Sequence, residues 1–327
     1  MSILPRSPGT DRLIDTAELA RHAATLGRHY ALHGSAGQPP LSGHFDVATL
    51  PGGILLRHAR VTNRCDMRCS AEVAPGIKLI LLLGGPIDVC FDGRALPAMP
   101  GDRRGYCVDV REPVRFDRRA RADTTECSLT LTLPGDWLER RLALLADRRH
   151  SQPTDGLCDG GLEIRGWQPS AALCAEAAGV FGPVTRDTPV STVYRENLAW
   201  SLIAEAWPVL LEQAARRDVA DTALKRATRL DALVRDNAHQ PICLERLARR
   251  IGMSRASLQR HFRALYGMSP QRFMRRRRLY AAFQALARDG ASVSTAAGVA
   301  GYGEAANFAT AFRQMFGHRP RDIGARH

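Results

Sequence analysis

The sequence lacks the long apolar runs that membrane-spanning helices require. Its longest charge-free apolar stretch, Leu79 to Ile87, is far shorter than the roughly 18 residues that indicate a span. The first residues, Met1 to Arg6, contain no long apolar stretch either, so no secretory signal is predicted. We therefore expect a cytoplasmic protein without a membrane partner.

Motifs of the common enzyme classes are also missing. The chain has no Gly-x-Ser-x-Gly, Gly-x-x-x-x-Gly-Lys, His-Glu-x-x-His or Gly-x-Gly-x-x-Gly motif. Its eight cysteines are scattered and include no Cys-x-x-Cys pair, which does not suit a disulfide framework. We therefore expect reduced thiols and no enzyme activity, with no catalytic residue, metal site or cofactor.

Positive charge is concentrated in the last third of the chain. Residues 222–327 contain 20 Lys and Arg against six Asp and Glu, a net charge of +14, whereas the other residues sum to −1. This imbalance favours a polyanionic partner, and double-stranded DNA is the first hypothesis. The alternative is a solvated basic surface without a specific partner.

Short β-rich runs separated by turns dominate residues 44–133. Turn pairs such as Pro51–Gly52 and Asp92–Gly93 divide them, and strands at this spacing are typical of a β-barrel or sandwich. The predicted strands are Gly53–Arg60, Ile77–Leu83, Ile87–Phe91, Gly105–Val110, Val114–Phe116 and Cys127–Leu133.

Helical patterns flank this β region. Helices are predicted from Asp15 to Ala31, from Gly135 to Asp147 and over 170–217, the last with a kink or break near Trp207 because Pro208 follows. An apolar stripe in the last segment either packs on the β region or forms a dimer face. The stripe consists of Ile203, Ala206, Trp207, Leu210, Leu211 and Ala214.

A polar linker at Asp218–Thr222 divides the chain into an N-terminal part, 1–221, and a C-terminal part, 222–327. The C-terminal part contains an internal repeat, because Leu244 to Ser254 aligns with Val293 to Gly303. Each copy reads helix, tight turn, helix. Gly252 is expected to end the first helix with left-handed backbone angles, and Ser254 to cap the second.

The second helix of each repeat copy is predicted to have one apolar face and one face for DNA. In the first copy Leu258, Phe262 and Leu265 lie opposite Ala256, Gln259, Arg260 and Arg263. In the second, Phe308, Phe312 and Met315 lie opposite Ala306, Ala309, Thr310 and Arg313, with Asn307 at the edge. Gln and Arg side chains can bind adenine and guanine bidentately in the major groove, so two reading helices are predicted.

One helix from Pro270 to Arg288 is long enough to hold the two reading helices apart. Its run of four arginines, Arg275 to Arg278, cannot face one way on a helix. Some of these arginines are therefore expected to contact phosphates, and others to form interior salt bridges.

From Leu224 to Asp322 the sequence resembles the AraC/XylS-type transcription regulators. The matching motifs are Leu247–Ala248, Ile251–Ser254, Leu258–Arg263, Gly267–Pro270, Arg278–Leu279 with Ala282, Gly301–Tyr302, Asn307–Phe308, Ala311–Arg313 and Phe316–Gly317. The resemblance implies an all-α domain with two helix-turn-helix units that enter successive major-groove segments, and RNA polymerase as a further partner. The DNA-binding residues it implies, with the exposed faces, are Ser254, Arg255, Ala256, Ser257, Gln259, Arg260, Arg263, Ala306, Asn307, Thr310 and Arg313.

Two positions depart from what is usual in that family, and a third places an acid beside the DNA-binding face. Ala256 stands where many members carry a larger side chain, and Thr310 where many carry Arg or Lys. Glu304, at the start of the second reading helix, suits the helix dipole but repels phosphate. The second unit is therefore expected to bind mostly through phosphates and shape.

The N-terminal half is similar to siderophore-responsive members of the family, the pyochelin and alcaligin type, in its segments Gly76–Leu81 and Ile87–Gly93. The similarity implies an α+β multidomain protein whose cupin-like β-barrel binds a small-molecule effector, with a homodimer possible. The effector it implies is a ferric siderophore that holds its own iron, and the output is activation of genes for siderophore biosynthesis and uptake. Four basic residues either offset the charge of that complex or are solvated at the surface: Arg57, Arg60, Arg64 and Lys78.

Three other functions stay open at this point. The chain could regulate another metabolic pathway, or bind DNA constitutively with a β domain that only dimerises. It also resembles cysteine-based DNA alkyl-transfer repair proteins in its Cys65 and Cys69 pair, although a zinc-thiolate site needs two more close ligands. The simpler interpretation is that Cys90, Cys107 and Cys127 are small core residues on strands and that His58 is an ordinary strand histidine.

The charge distribution predicts that DNA binding resides in a fragment of about residues 222–327 and is steeply salt-dependent. If the fragment neutralises about six to ten phosphates, its affinity should fall on the order of 10³- to 10⁵-fold between about 50 and 200 mM salt. Binding releases counterions from the DNA, and this release is favoured at low salt. Fluorescence anisotropy across a salt series measures this slope. A folded fragment whose binding ignored salt would contradict the prediction.

Overall fold

The computed structural model describes residues 12–34, 37–138, 161–181, 189–215, 244–266, 268–316 and 319–324. The chain divides into two compact units. The first comprises Met1–Trp137, Leu157–Gly182 and Ser201–Gln213, and the second comprises Leu138–Gly156, Pro183–Trp200 and Ala214–His327.

The first unit is built from two antiparallel sheets. The larger has the strand order β1-β3-β4-β11-β6-β9-β12 and the smaller β2-β5-β10-β7-β8. The strands are β1 (Leu13–Ile14), β2 (Arg28–His33), β3 (Leu41–Leu50), β4 (Ile54–Asn63), β5 (Met67–Val73), β6 (Gly76–Gly84), β7 (Asp88–Phe91), β8 (Arg94–Ala95), β9 (Arg104–Val110), β10 (Val114–Ala120), β11 (Thr125–Pro134) and β12 (Leu162–Trp167).

The two sheets face each other across two hydrophobic clusters, each of which takes side chains from both sheets. One cluster joins Ile80 and Tyr106 of the large sheet to Val73 and Phe91 of the small one. The other joins Ile14, Leu41 and Val61 of the large sheet to Met67 and Cys69 of the small one. Every second residue of the central strands therefore points into the space between the sheets.

The opposite face of the large sheet is buried as well. Leu129, Leu131 and Leu133 of β11 have no exposed surface, although they alternate with inward-facing residues. The short 3-10 turn Gly179–Phe181 contacts this face, since the ring of Phe181 lies 5.7 Å from that of His58. Burial on both faces explains the near-continuous apolar run of β6, which is typical of a sheet covered twice.

The helix predicted from Asp15 to Ala31 is shorter than expected. Helix α1 spans Thr16–Leu26, and the Asp15 carboxylate caps it by accepting from the Glu18 N–H at 2.7 Å. The chain then turns at Gly27, where a Cβ atom would lie 2.4 Å from the Glu72 carbonyl oxygen. Residues 28–33 pair with β5 instead, because a sheet edge outweighs local helix propensity.

The long helix over 170–217 is two helices, α2 (Ala171–Ala178) and α3 (Pro189–Ala215), and α3 continues through Pro208 without a break. Trp207 and Leu210, which flank the proline, are 5% and 0% exposed. Burying two such side chains contributes about 1.5–3 kcal/mol each, enough to offset the roughly 3 kcal/mol that an interior proline costs.

The apolar stripe of α3 is covered within a single chain, since Ile203, Ala206, Trp207 and Leu210 are all buried. This favours packing on the chain's own β domain over a dimer face. The predicted helix Gly135–Asp147 beyond Leu138, and the predicted linker at residues 218–222, lie outside the described residues.

The second unit carries the helical repeat. Its helices are α4 (Leu244–Ile251), α5 (Arg255–Tyr266), α6 (Pro270–Arg288), α7 (Val293–Val299), α8 (Ala305–Phe316) and α9 (Pro320–Gly324). Phe283 of α6 packs against Phe316 of α8 with ring centroids 5.1 Å apart. The predicted combination of an antiparallel β domain and a helix-turn-helix domain is thus confirmed.

The two turn glycines allow a paired stability test. Gly252 and Gly301 both have φ of +72°, as predicted for the turn of each unit. We expect Gly252→Ala to cost about 1–2 kcal/mol, because left-handed angles are strained for residues with a Cβ atom. Gly301→Ala should cost slightly more, because its Cβ would also lie 2.9 Å from Arg278 Nη1, the flexible end of a long side chain, whereas that of residue 252 meets nothing within 4 Å.

Thermal unfolding of the two variants measures this difference. A loss at Gly252→Ala equal to or larger than the loss at Gly301→Ala would show that the contact with Arg278 does not constrain the second turn.

Candidate nucleic-acid interface and interior cavity

The first reading helix, α5, presents the face that the sequence predicts. Its cap is Ser254, whose hydroxyl accepts from the Ser257 N–H at 3.1 Å. Leu258 and Phe262 are fully buried. The side chains opposite them are open to solvent: Ala256, Arg260 and Arg263 are exposed and Gln259 is half-buried.

Two arginines of this helix are already oriented by neighbours. Arg260 Nη2 donates to the Ser257 hydroxyl at 3.3 Å. Arg255 Nη1 donates to Glu245 Oε1 at 2.8 Å, which links α5 to α4. Both partners of the second pair are exposed, so it contributes little to stability and leaves Arg255 able to turn toward a phosphate.

The second reading helix, α8, has the same layout with fewer available polar groups. Phe308 and Phe312 are fully buried. Asn307 Nδ2 donates to Glu304 Oε2 at 3.0 Å, and the Thr310 hydroxyl donates to the Ala306 carbonyl at 3.1 Å. Asn307 is thus bonded to the residue before α8 and Thr310 within α8, so a contact with a base competes with these local bonds.

One arginine of the run Arg275 to Arg278 on α6 forms the interior salt bridge that the sequence predicts. Arg276 Nη2 donates to Glu196 Oε2 at 2.5 Å, and both side chains are less than 20% exposed. Arg277 lies over the ring of Phe273 at 5.9 Å. Arg275 Nε donates to the Tyr302 hydroxyl at 3.2 Å, in the turn before α8. Phosphate contact by these arginines stays a prediction.

The first unit contains a cavity of about 180 Å³ between its two sheets. That is space for on the order of ten water molecules. Its walls are mostly apolar and aromatic, and members of both hydrophobic clusters contribute to them. The larger apolar side chains in the wall are Leu19, Tyr30, Phe45, Met67, Ile80, Ile87, Phe91 and Phe116.

Four charged side chains also line the cavity: Arg57, Lys78, Arg118 and Glu126. Surface solvation of Arg57 and Lys78 was one of the two expected outcomes, and for these two it is wrong. Arg57 of β4 and Lys78 of β6 occupy positions that point between the sheets, whereas Arg64, after β4, is exposed. A lone lysine inside the apolar run Ile77–Leu83 is the sequence signal that could have shown this.

The buried cations are electrostatically perturbed. Burial, with a further contribution from Arg57, lowers the pKa of Lys78 to about 8. Burial likewise lowers the pKa of Arg57. For Arg118 the effect of burial is outweighed by the neighbouring Glu126 carboxylate, and its pKa is raised.

The three cysteines predicted to be core residues lie on strands and are buried or half-buried. Cys107 and Cys127 are 0% and 2% exposed, as predicted, and Cys90 is half-buried. Burial raises the pKa of Cys127 to about 12 and also raises that of Cys69, which disfavours the reactive thiolate. In the part of the chain that the structure describes, no three His, Cys, Asp or Glu side chains are grouped so that they could hold a metal ion.

His58 is a buried strand histidine in contact with a second one. Its Nε2 lies 2.9 Å from His44 Nε2, and the Asp46 carboxylate is 3.9 Å from the same atom. The pair faces away from the cavity, toward Phe181.

Comparison with known proteins places both units. Residues 42–224 match the family model described as the regulatory protein PchR N-terminal domain, and residues 247–326 match a helix-turn-helix domain. The first match covers more than half of the chain. The protein therefore belongs to the AraC/XylS family of transcription regulators, within the group that carries a PchR-type N-terminal domain.

Individual relatives match mainly the C-terminal part. The HTH-type transcriptional activator RhaS of Klebsiella pneumoniae (strain 342) is 34% identical over 115 residues, 35% of this chain and 41% of that protein. This chain thus spans less than half of that relative. Members of the family regulate transcription and are not enzymes, so the alkyl-transfer alternative is not retained.

Two solved structures are similar to this chain in part. A probable AraC family transcriptional regulator from Rhodopseudomonas palustris CGA009 is 31% identical over 31% of this chain and 95% of that one, with a TM-score of 0.28. The AraC-like transcriptional activator CuxR is 15% identical over 85% of this chain and 94% of that one, with a TM-score of 0.35.

Among the described helices, none is both long and apolar enough to cross a membrane.

The geometry predicts unequal roles for the two reading helices. We expect Gln259→Ala or Arg260→Ala to relax sequence preference, at about 1–3 kcal/mol for a particular base pair, because these side chains can reach base edges. Thr310→Ala should do less, since its hydroxyl is bonded within α8. Selection from random DNA measures specificity, and a greater loss in the Thr310 variant than in the Arg260 variant would reverse the assignment.

Proposed function

We propose that this protein binds promoter DNA through α5 and α8 and that a small molecule held between its two β-sheets controls its effect on transcription. The observation that carries the proposal is the cavity of about 180 Å³, because most of its wall lies within the region that matches the PchR-type domain. A β domain that served only for dimerisation would pack to ordinary density. The cavity therefore favours a ligand-dependent regulator over a constitutive DNA-binding protein.

The proposed DNA contacts divide into two kinds. Gln259 and Arg260 read bases. The phosphate contacts come from the other polar residues at the start and on the exposed faces of the two helices, namely Ser254, Arg255, Ser257, Arg263 and Arg313. Ala256, Ala306, Asn307 and Thr310 lie at the groove floor and contribute mainly shape. A protein that binds promoter DNA acts in the cytoplasm, which is the proposed location. The further partners proposed are RNA polymerase and a second copy of the chain.

The proposed effector is an iron-loaded siderophore, and the proposed output is activation of genes for siderophore biosynthesis and uptake. The match to the PchR-type domain supports this specificity. The described residues offer no cluster that would hold iron directly, so the siderophore supplies the iron ligands and the protein binds the complex as a whole. A regulator of another pathway would show the same DNA face with a different occupant of the cavity.

Thermal unfolding of the full chain with ferric pyochelin, ferric alcaligin and their iron-free forms tests the effector. A ferric complex is expected to raise the unfolding temperature more than its iron-free form, because it is compact and preorganised. At about 100 times its Kd, the ligand adds about 2.7 kcal/mol of stability. No response to either ferric complex, with DNA binding intact, would assign the protein to another pathway.

A variant without four of the cysteines, of which Cys69 lines the cavity, is the control. Replacing Cys65 and Cys90 by Ser, and the buried Cys69 and Cys107 by Ala, should leave the ferric response largely intact in the folded variant. Stoichiometric iron or zinc on the purified protein, lost in that variant together with function, would instead point to a metal-thiolate site.

A further inference from the structure

The cavity carries a surplus of positive charge that the protein itself does not neutralise. Three of its charged side chains are cations, Arg57, Lys78 and Arg118, and only Glu126 is an anion. Lys78 and Glu126 are each 6% exposed. Removing a charge from water is costly unless a counter-charge accompanies it, so the stability of each cation depends on whether it is paired with Glu126.

The single carboxylate is already committed to one cation. Arg118 Nη2 donates to Glu126 Oε2 at 3.0 Å and also lies 3.0 Å from Asn63 Oδ1. This pair joins β10 of the small sheet to β11 of the large sheet. Arg118 and Glu126 therefore form an ion pair within the wall, and Glu126 also acts on Arg57 through space without a direct ion pair.

Arg57 and Lys78 have only hydroxyl groups as hydrogen-bond partners among the described residues. Arg57 Nη2 donates to the Ser128 hydroxyl at 2.9 Å and to that of Thr130 at 3.4 Å. Lys78 Nζ donates to the Thr132 hydroxyl at 3.4 Å. Hydroxyl groups orient these cations but carry no charge to offset them.

The strand register brings the two cations to one place. Arg57 of β4 lies opposite Thr130 of β11, and Lys78 of β6 lies opposite Thr132 of the same strand. Residues two apart on a strand are about 7 Å apart and point to the same face. The two long side chains thus flank β11 from both sides, close enough for Arg57 to lower the pKa of Lys78.

Around this cationic pair the wall is apolar. The ring of Phe45 lies 5.6 Å from the Arg57 guanidinium, and Ile80, Phe91 and Phe116 continue the surface. An inorganic anion would leave these side chains without contact. A neutral apolar molecule would leave both cations without a counter-charge.

We propose that the cavity binds a largely apolar organic acid and that Arg57 and Lys78 together hold its carboxylate. This inference rests on one part of the proposed function, namely that the cavity is the effector site. It assigns a carboxylate as the group that the cavity holds, and it does not depend on the effector being a siderophore. Hydrogen bonds from ionised donors to a carboxylate are about twice as strong as neutral ones, which makes this contact the source of selectivity.

A matched pair of probes tests the proposal on the full-length protein. 2-Naphthoate and 2-naphthamide share their ring system and differ in charge, and their Kd values can be measured by calorimetry and by thermal shift. We expect the carboxylate to bind about tenfold or more tightly than the amide. Equal affinity, absence of binding by both, or equal competition by inorganic phosphate would overturn the proposal.

Substitution of Lys78 is expected to increase stability and to weaken ligand selectivity. Lys78→Met should raise the unfolding temperature of the ligand-free protein, because a buried charge without a counter-charge is removed, and should abolish the preference for naphthoate. Arg118→Met is the matched control, and it should lower the unfolding temperature because it leaves Glu126 buried and unpaired. A Lys78→Met protein that is less stable and still prefers naphthoate would refute the assignment.

A pH series on the unmodified protein tests the same point without any variant. The titratable groups that face Lys78 are Arg57, Arg118, Glu126, Cys69 and Tyr30. Burial raises the pKa values of Cys69 and Tyr30, so of these three groups Lys78, at about 8, deprotonates first. Naphthoate affinity should fall as pH rises above about 8 while naphthamide affinity stays constant, and a flat naphthoate profile would count against the proposal.

DNA binding in the same samples separates this inference from the proposed function. Salt-dependent DNA binding and a response to a ferric siderophore, without a preference for naphthoate, would refute only the organic-acid site. Loss of both DNA binding and the siderophore response would refute the proposed function, whatever the probes do.

Discussion

The pairing of Arg118 with Glu126 across the two sheets is the interaction on which the cavity depends. It joins β10 to β11 at 3.0 Å, between two hydrophobic clusters. Without a satisfied polar bridge, that region would either fill with apolar side chains or leave a charge unpaired. With the bridge in place, two further cations are held beside β11, and an open volume lined by aromatic rings remains.

The helical unit applies the same principle in a different form. Phe262 on α5 and Phe312 on α8 are fully buried, and this fixes which faces of the two reading helices turn outward. Arg276, paired with Glu196, satisfies a charge on the inner side of α6. The hydrophobic anchors thus set the orientation, and the exposed polar residues are left available for a nucleic acid.

The two reading helices diverge because of local hydrogen bonds. Asn307 is bonded to Glu304 just before α8, and Thr310 is bonded within α8. Among the described residues Arg260 is bonded to a neighbouring serine hydroxyl, which it can exchange. A regulator with one specific helix and one positioning helix can recognise asymmetric sites, because phosphate contacts fix register while base contacts fix sequence. In the proposed function, a ligand in the cavity adds a control that the DNA-binding face by itself does not provide.

The sequence by itself determined the elements whose signals are local. The helix-turn-helix repeat follows from Gly252, Gly301 and the phenylalanine spacing, and most central strands follow from turn residues between apolar runs. Only the tertiary structure decided what depends on distant partners: the end of α1 at the edge of β5, the passage of α3 through Pro208, and the burial of Lys78 beside Arg57. Backbone angles and periodicity are properties of a segment, whereas desolvation and charge pairing depend on what lies across the core.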